Sequence, residues 1–304
     1  MDRVRFAHPV HQRAHSGTSI TPFSGLAMPA SIMLLTSFAL VLGLVGCVSG
    51  FLAGLLGVGG GIVVVPVLYH VLAAFDVDVA LRAHIAVGTS LATIIPTSVQ
   101  SIRAHKAKGA VDTELLKLWG PFVGLGVLCG VVVAGYASGS LLTAVFGVVA
   151  ALVALYMLFT REGWHPVKGL PGRAGQAGMA TAIGTISTLM GIGGGTLTVP
   201  TLSIFSYPVR RAVGTASVIG LIIAVPGTVG YIINGWGRAG LPAFSLGYVN
   251  LGGMIAIVVT SMWFAPLGAR TAHSIEPRTL RILFGVFLTI TSSKMLFDSY
   301  RMFF

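Results

Sequence analysis

Charge is what this sequence lacks: only 9% of its 304 residues are Asp, Glu, Lys or Arg, against 55% hydrophobic. That leaves too few polar groups to cover a water-facing globule and excludes an ordinary soluble domain. Acidic residues are scarcest, 8 against 19 Lys and Arg. All eight fall in the N-terminal segment, in expected loops or at expected helix ends, so the buried carboxylate of a proton relay is missing. Cysteine is nearly absent, and Cys47 and Cys129 both lie in apolar runs, which argues against a disulfide framework or a metal site and makes them packing residues. No Walker A pattern occurs, so direct ATP drive has no support. Neither a cofactor nor a metal nor a catalytic residue is expected.

What is present are long uncharged runs. No Asp, Glu, Lys or Arg occurs between Arg13 and Asp76, Lys117 and Arg161, Arg173 and Arg210, or Arg238 and Arg270. Each run exceeds the roughly 20 apolar residues a spanning helix needs. The runs are continuously apolar, unlike the alternating strands of a membrane barrel, so the expected fold class is an all-α polytopic membrane protein. The 41 glycines fit this, since small residues such as Gly46, Gly50 and Gly54, or Gly126 and Gly130, let membrane helices approach closely. The net charge of +11 is spread over short loops rather than gathered in one patch, which favours juxtamembrane charge over nucleic acid. Residues 1–30 are expected to be a disordered tail, because the apolar run that follows is too long for a signal-peptide core.

The two halves repeat one another. Gly57-Val-Gly-Gly-Gly-Ile-Val-Val-Val-Pro66 returns as Gly191-Ile-Gly-Gly-Gly-Thr-Leu-Thr-Val-Pro200, and Ala86-Val-Gly-Thr-Ser90 as Ala212-Val-Gly-Thr-Ala-Ser217. Phe146-Gly-Val148 is echoed by Phe284-Gly-Val286, and Met157-Leu-Phe159 by Met295-Leu-Phe297. Landmarks in one order indicate duplication, with repeats over residues 31–160 and 175–304 joined by a basic loop, 161–174. Each repeat is expected to hold a long run broken at its glycines, then three helices; in the second half these begin at Val213, Phe244 and Leu280. A continuous helix over Gly175 to Tyr207 would be about 50 Å long against a core near 30 Å, so it must break, and Gly193 to Gly195 is the place.

Loop charge bears on orientation. Arg103, Lys106 and Lys108 make one loop basic while its counterpart near Arg238 is not; the uncharged 137–140 segment matches a loop holding Arg270, Arg278 and Arg281. Opposite bias at matched positions indicates an inverted repeat of about five segments per half. Eight full spans with parallel halves remain the alternative, so about 8–10 spanning or half-spanning segments are expected.

A helix restarting after the glycines offers unpaired N–H groups and the positive end of its dipole to an oxyanion. The expected binding residues are Gly59, Gly60 and Gly61, with Gly193, Gly194 and Gly195. Hydroxyls of Thr196, Thr89, Ser90, Thr215 and Ser217 are expected to complete the seat. Arg82, His84, Arg210 and Arg211 are candidates for attracting or gating the anion. The competing bland readings are that glycine triplets only allow tight crossing, that hydroxyls bond their own backbone, and that these basic groups snorkel to headgroups.

Through Gly50-Phe-Leu-Ala-Gly-Leu-Leu-Gly-Val-Gly-Gly-Gly-Ile-Val-Val-Val-Pro66 and its echo, the Ala-Val-Gly-Thr-Ser element and His105-Lys-Ala-Lys-Gly-Ala-Val-Asp112, the sequence resembles the TauE/SafE family of sulfite exporter-like membrane transporters. The resemblance covers nearly everything after the tail. It implies a secondary transporter of small sulfur-containing anions such as sulfite, thiosulfate or organosulfonates, in a bacterial-type inner membrane. A non-transporting scaffold or sensor is the alternative class; a membrane enzyme is a weaker one, resting only on His165 and Glu162 in one loop.

Overall fold

The computed structural model describes residues 30–56, 60–159, 167, 169–272 and 276–303. Apart from Ala30, the expected tail lies outside the described residues, as do Gly59 and most of the first half of the 161–174 loop. The chain divides into a unit Met1–Thr36, of which only the opening turns of the first helix are described, and a unit Ser37–Phe304.

Among the described residues the chain is helical almost throughout. Five helices precede residue 160: α1 (Ala30–Leu56), α2 (Gly61–Ala74), α3 (Val79–Ala107), α4 (Thr113–Tyr136) and α5 (Gly139–Phe159). Five follow: α6 (Arg173–Met190), α7 (Gly194–Ile204), α8 (Val209–Asn234), α9 (Leu251–Ala272) and α10 (Pro277–Phe303). Six helical stretches are long and apolar enough to cross a membrane, namely α3, α4, α5, α8, Leu251–Gly268 and Ile282–Arg301. A helix satisfies its own backbone groups, which hydrocarbon demands. The faces divide accordingly: on α4, Val123, Val127 and Ala134 are buried while Leu125, Leu128 and Val132 are exposed at helical spacing, which suits lipid.

Two helices form the centre. The apolar windows of α3 and α8 are 67% and 50% buried, against 22–33% for the other spans, and these two helices pack together. Around them α5 packs on α10 and α4 on α6. Small residues set the closest crossings: a Cβ on Gly126 would lie 2.1 Å from the Thr181 carbonyl of α6, and one on Gly50 would lie 2.4 Å from Ser261 Cα of α9. Each crossing is stitched by a hydroxyl. Thr185 donates to the Gly126 carbonyl at 2.9 Å, and Ser261 to the Gly46 carbonyl at 3.1 Å.

The short helices α2 and α7 end alike. Phe75 and Phe205 close them, Asp76 and Ser206 then take φ of 54° and 59°, and the next amides, Val77 and Tyr207, donate back to Leu72 and Leu202, each at 3.1 Å. The approach to α6 lies beside this end of α7: Val167 N–H donates to the Ile204 carbonyl at 3.3 Å and the Ser206 hydroxyl to the Val167 carbonyl at 2.9 Å. The segment from Arg173 to Ile204 therefore enters and leaves by one side.

One expected helix start differs. The chain does not become helical at Phe244, whose φ is 61°; a hairpin of β1 (Ser245–Leu246) and β2 (Val249–Asn250) intervenes, turning through Gly247 at φ 56°. The helix begins only at Leu251, where Asn250 Oδ1 accepts the Gly253 N–H at 2.7 Å, a side-chain cap of the kind that starts helices.

Candidate functional site

Between α6 and α7 the chain turns through Gly191, at φ 69° and ψ 29°. Only glycine takes this left-handed geometry without cost, and a Cβ here would sit 2.8 Å from Val87 Cα of α3. Gly193 is extended and α7 starts at Gly194, so the Gly194 and Gly195 amides have no acceptor one turn back, while the Thr196 N–H reaches the Gly193 carbonyl at 3.4 Å. On the other side, α1 ends at Leu56 and α2 starts at Gly61, preceded by Gly60 at φ 45°. The start of α2 packs against the turn between α6 and α7: a Cβ on Gly61 would lie 2.9 Å from the Gly191 carbonyl and 3.1 Å from Ile192 Cα. The same Gly191 carbonyl accepts the Ser90 hydroxyl at 2.7 Å.

A cavity of about 70 Å³ opens at the start of α7. Its floor is Gly193, Gly194 and Gly195, and its walls are Ile94, Thr97, Ser98 and Ser101 of α3 facing Val213, Ala216, Ser217 and Gly220 of α8. Of the residues expected to bind, these glycines and Ser217 line it. Thr97, Ser98 and Ser101 were not anticipated, although Pro96-Thr-Ser-Val-Gln-Ser101 is a polar interruption of an apolar helix and so carried a signal. Among the described residues no formal charge lines the cavity. Its hydroxyls are not equivalent: Thr97 gives its proton to the Thr93 and Ile94 carbonyls at 3.1 Å and Ser217 to Gly214 at 2.7 Å, whereas Ser98, 8% exposed, and Ser101 make no hydrogen bond with a described residue.

The Gly-Thr elements sit elsewhere and act as notches. Tyr248 lays its carbonyl over Gly88, where a Cβ would be 2.7 Å away, and Asn250 N–H donates to the Thr89 hydroxyl at 2.9 Å. In the other notch Ala110 lays its carbonyl over Gly214, 2.3 Å from where a Cβ would stand, and Asp112 N–H donates to the Thr215 hydroxyl at 3.0 Å. Asp112 and Asn250 are also the caps of α4 and α9. Each notch thus receives the residue that starts the helix after a loop. Thr196 is buried on α7.

The basic candidates separate. Arg82 Nε donates to the Val77 carbonyl at 2.6 Å. His84 is buried, its ring nitrogens 3.3 Å from the Ala80 and Ala134 carbonyls and its ring 4.8 Å from that of Tyr248. Arg210 is exposed, while exposed Arg211 places Nη1 3.8 Å from Asp112 Oδ2. That carboxylate oxygen also accepts the Tyr207 hydroxyl. Burial pulls the Asp112 pKa upward, but Tyr207, the amides of Leu115 and Glu114, and Arg211 outweigh it and hold the group below the ordinary carboxylate range. Burial and the carboxylate push Tyr207 upward. Farther out, Gln100 and Lys294 are exposed, and Asn234 donates to the Val131 carbonyl at 2.9 Å.

A bundle of apolar helices, six stretches of which are long and apolar enough among the described residues to cross a membrane, with a polar cavity at the start of a short helix, suits a polytopic membrane transporter. The chain belongs to the sulfite exporter TauE/SafE family, whose model matches residues 42–295. It is similar to a probable membrane transporter protein of Haemophilus influenzae, 32% identical over 261 residues, which cover 85% of this chain and 98% of that protein. It is also similar to probable membrane transporter proteins of Methanocaldococcus jannaschii, 27% identical over 83% of this chain and 93% of the relative, and of Bacillus subtilis, named YunE, 25% identical over 85% and 97%. No solved structure matches. The protein is accordingly an integral membrane transporter of a bacterial-type inner membrane, and a carrier rather than an enzyme is what the relatives' names describe.

Proposed function

We propose that this transporter is a secondary carrier of a small anion, a sulfur oxyanion or organosulfonate, which binds in the cavity at the start of α7. The observation that carries the reading is the cavity itself, floored by Gly193 to Gly195 and opening on amides that the helix leaves without acceptors. Glycine lets an oxyanion come close to backbone, and a helix N-terminus favours negative charge. The family's description as sulfite exporters points to the same chemistry.

In this reading residues 31–160 and 175–304 are two inverted repeats. The like ends of α2 and α7, the paired notches at Gly88 and Gly214, and the exchange of partners between α1–α9 and α4–α6 support it. Alternate helix directions bring Arg103, Lys106, Lys108, Arg173, Arg210, Arg211 and Arg270 to one face and leave Arg82, Arg238 and Arg301 at the other, so the first face is cytoplasmic. The cavity lies between the half of α3 and the half of α8 nearer that face. Transport follows when the halves rock about the contact between the start of α2 and the α6–α7 turn. The basic residues Arg210 and Arg211 then draw anions toward the opening.

The test is reconstitution in liposomes, recording currents and fluxes on adding sulfite, sulfate, thiosulfate, sulfoacetate and lactate, with Gly60→Leu and Gly194→Leu as controls. Uptake selective for a sulfur anion and lost in Gly194→Leu supports the proposal. Folded wild-type protein that moves none of them returns the weight to a scaffold.

A further inference from the structure

The cavity holds more chemistry than its glycines, and the protons decide it. An anion needs donors, yet Thr97 and Ser217 have already given their single hydroxyl protons to carbonyls of their own helices. Ser98 and Ser101, three apart and so on one face of α3, have not. Ser98 is the more telling of the two: it is 8% exposed, lines the cavity, and makes no hydrogen bond with any described residue. Its hydroxyl is not sealed into packed protein but turned to the cavity, so its proton is available to whatever occupies that space.

Size narrows the ligand. A water needs roughly 10–15 Å³ of such space, so about 70 Å³ takes a handful of water-sized groups. Sulfite or sulfate fits within that space whole, whereas the carbon arm of an organosulfonate has to project through the opening. The opposite wall leaves no slack, since Gly220 lies where a Cβ would be 3.1 Å from Ser98 Oγ.

We propose that Ser98 and Ser101, with the leading amides of α7, form the hydrogen-bonding wall of a seat for a compact inorganic oxyanion, and that this seat prefers it to organosulfonates. The inference rests on the carrier function proposed above and assigns the residues and the substrate class of that same site. The anion is held entirely by neutral donors, so it enters with its charge uncompensated by any side chain in the seat.

The experiment uses the full chain in two formats. In liposomes, initial rates of sulfite, sulfate and thiosulfate uptake are measured for wild type, Ser98→Ala, Ser101→Ala and the double variant, with sulfoacetate added as substrate and as competitor. In detergent, the melting temperature is followed with and without the same inorganic anions, because a ligand that binds only the folded state raises it. Losing a hydroxyl that bonds an anion corresponds to roughly a 10- to 100-fold rise in KM for Ser98→Ala. The anion-induced rise in melting temperature disappears with it, while the melting temperature without anion holds, since Ser98 bonds no described residue. Sulfoacetate crosses and competes more weakly than sulfate. The wall is overturned by a double variant whose KM stays within about twofold of wild type, or by sulfoacetate competing as well as sulfate. Wild-type protein that shows neither flux nor thermal response to any anion overturns instead the carrier reading beneath it.

Discussion

The backbone N–H of Asp112 donates to the hydroxyl of Thr215 at 3.0 Å, joining the start of α4 to a turn of α8 distant in the chain. Asn250 and Thr89 make the same bond at 2.9 Å between the start of α9 and α3. Removing an acceptor strands an amide, which costs about 1–3 kcal/mol when the group is shielded from water. Thr215→Val and Thr89→Val, nearly isosteric, are therefore expected to lower the melting temperature of the purified protein, each by a comparable amount. Unaltered melting in both would show that the loops are held by something else.

The glycine next to each threonine makes a sharper test. A Cβ at Gly214 would stand 2.3 Å from the Ala110 carbonyl, an atom of backbone that cannot swing aside. Gly214→Ala is expected to cost about 1–3 kcal/mol through overpacking. Gly124→Ala, also in a helix but with nothing within 4 Å, is expected to gain about 0.5–1 kcal/mol from the lost flexibility of glycine. The two substitutions should move detergent stability in opposite directions; equal effects would refute the notch.

Asp112 gives the pH dependence. Its folded pKa is depressed chiefly by the Tyr207 hydroxyl and the α4 amides against the pull of burial, so it binds its proton less readily folded than unfolded. Its contribution is then complete above the ordinary carboxylate range and is lost as pH falls through the depressed value. Wild type should lose stability faster than Asp112→Asn on acidification below about pH 4, the ordinary range for Asp. Parallel acid titrations of the two would count against the assignment.

Among the described residues no Asp, Glu, Lys or Arg side chain is buried. A proton-coupled carrier ordinarily keeps an ionisable group within the membrane for the relay, and the buried imidazole of His84 has both ring nitrogens against backbone carbonyls, away from the cavity lining. Transport of the anion is expected instead to follow membrane potential, which acts on each charge with about 2.3 kcal/mol per 100 mV. Vesicles clamped with potassium and valinomycin at equal pH on both sides check this; a rate that tracks the pH difference and ignores the voltage would contradict it.

Much of this was legible in the sequence because the dominant physics is compositional. Uncharged runs gave the spans, and α8 and α10, expected to begin at Val213 and Leu280, begin at Val209 and Pro277. The roles of the hydroxyls were not legible. Thr89 and Thr215 look like ligand groups beside glycine, but their partners, Asn250 and Asp112, lie in loops far along the chain, and no local pattern announces such a bond. Ser98 escaped notice for the opposite reason: what marks it is a missing partner, and absence of a hydrogen bond is a property of packing rather than of spacing. The hairpin before α9 was hidden by the apolar character of Phe244 to Val249, which satisfies a helix period until Gly247 and Asn250 are given their backbone roles.

The crossed packing has a consequence for how the chain is made. Helix α6 leans on α4, α1 on α9, and each notch is filled by a loop from the other side of the 161–174 segment. A ribosome that has released only the first five helices into the bilayer has therefore produced an unfinished object, with the Gly88 notch empty and the Gly46–Gly50 face of α1 uncovered. Stable insertion must wait for α9, so the protein commits to its fold late in synthesis, and two separately expressed fragments would become transporter only by finding one another.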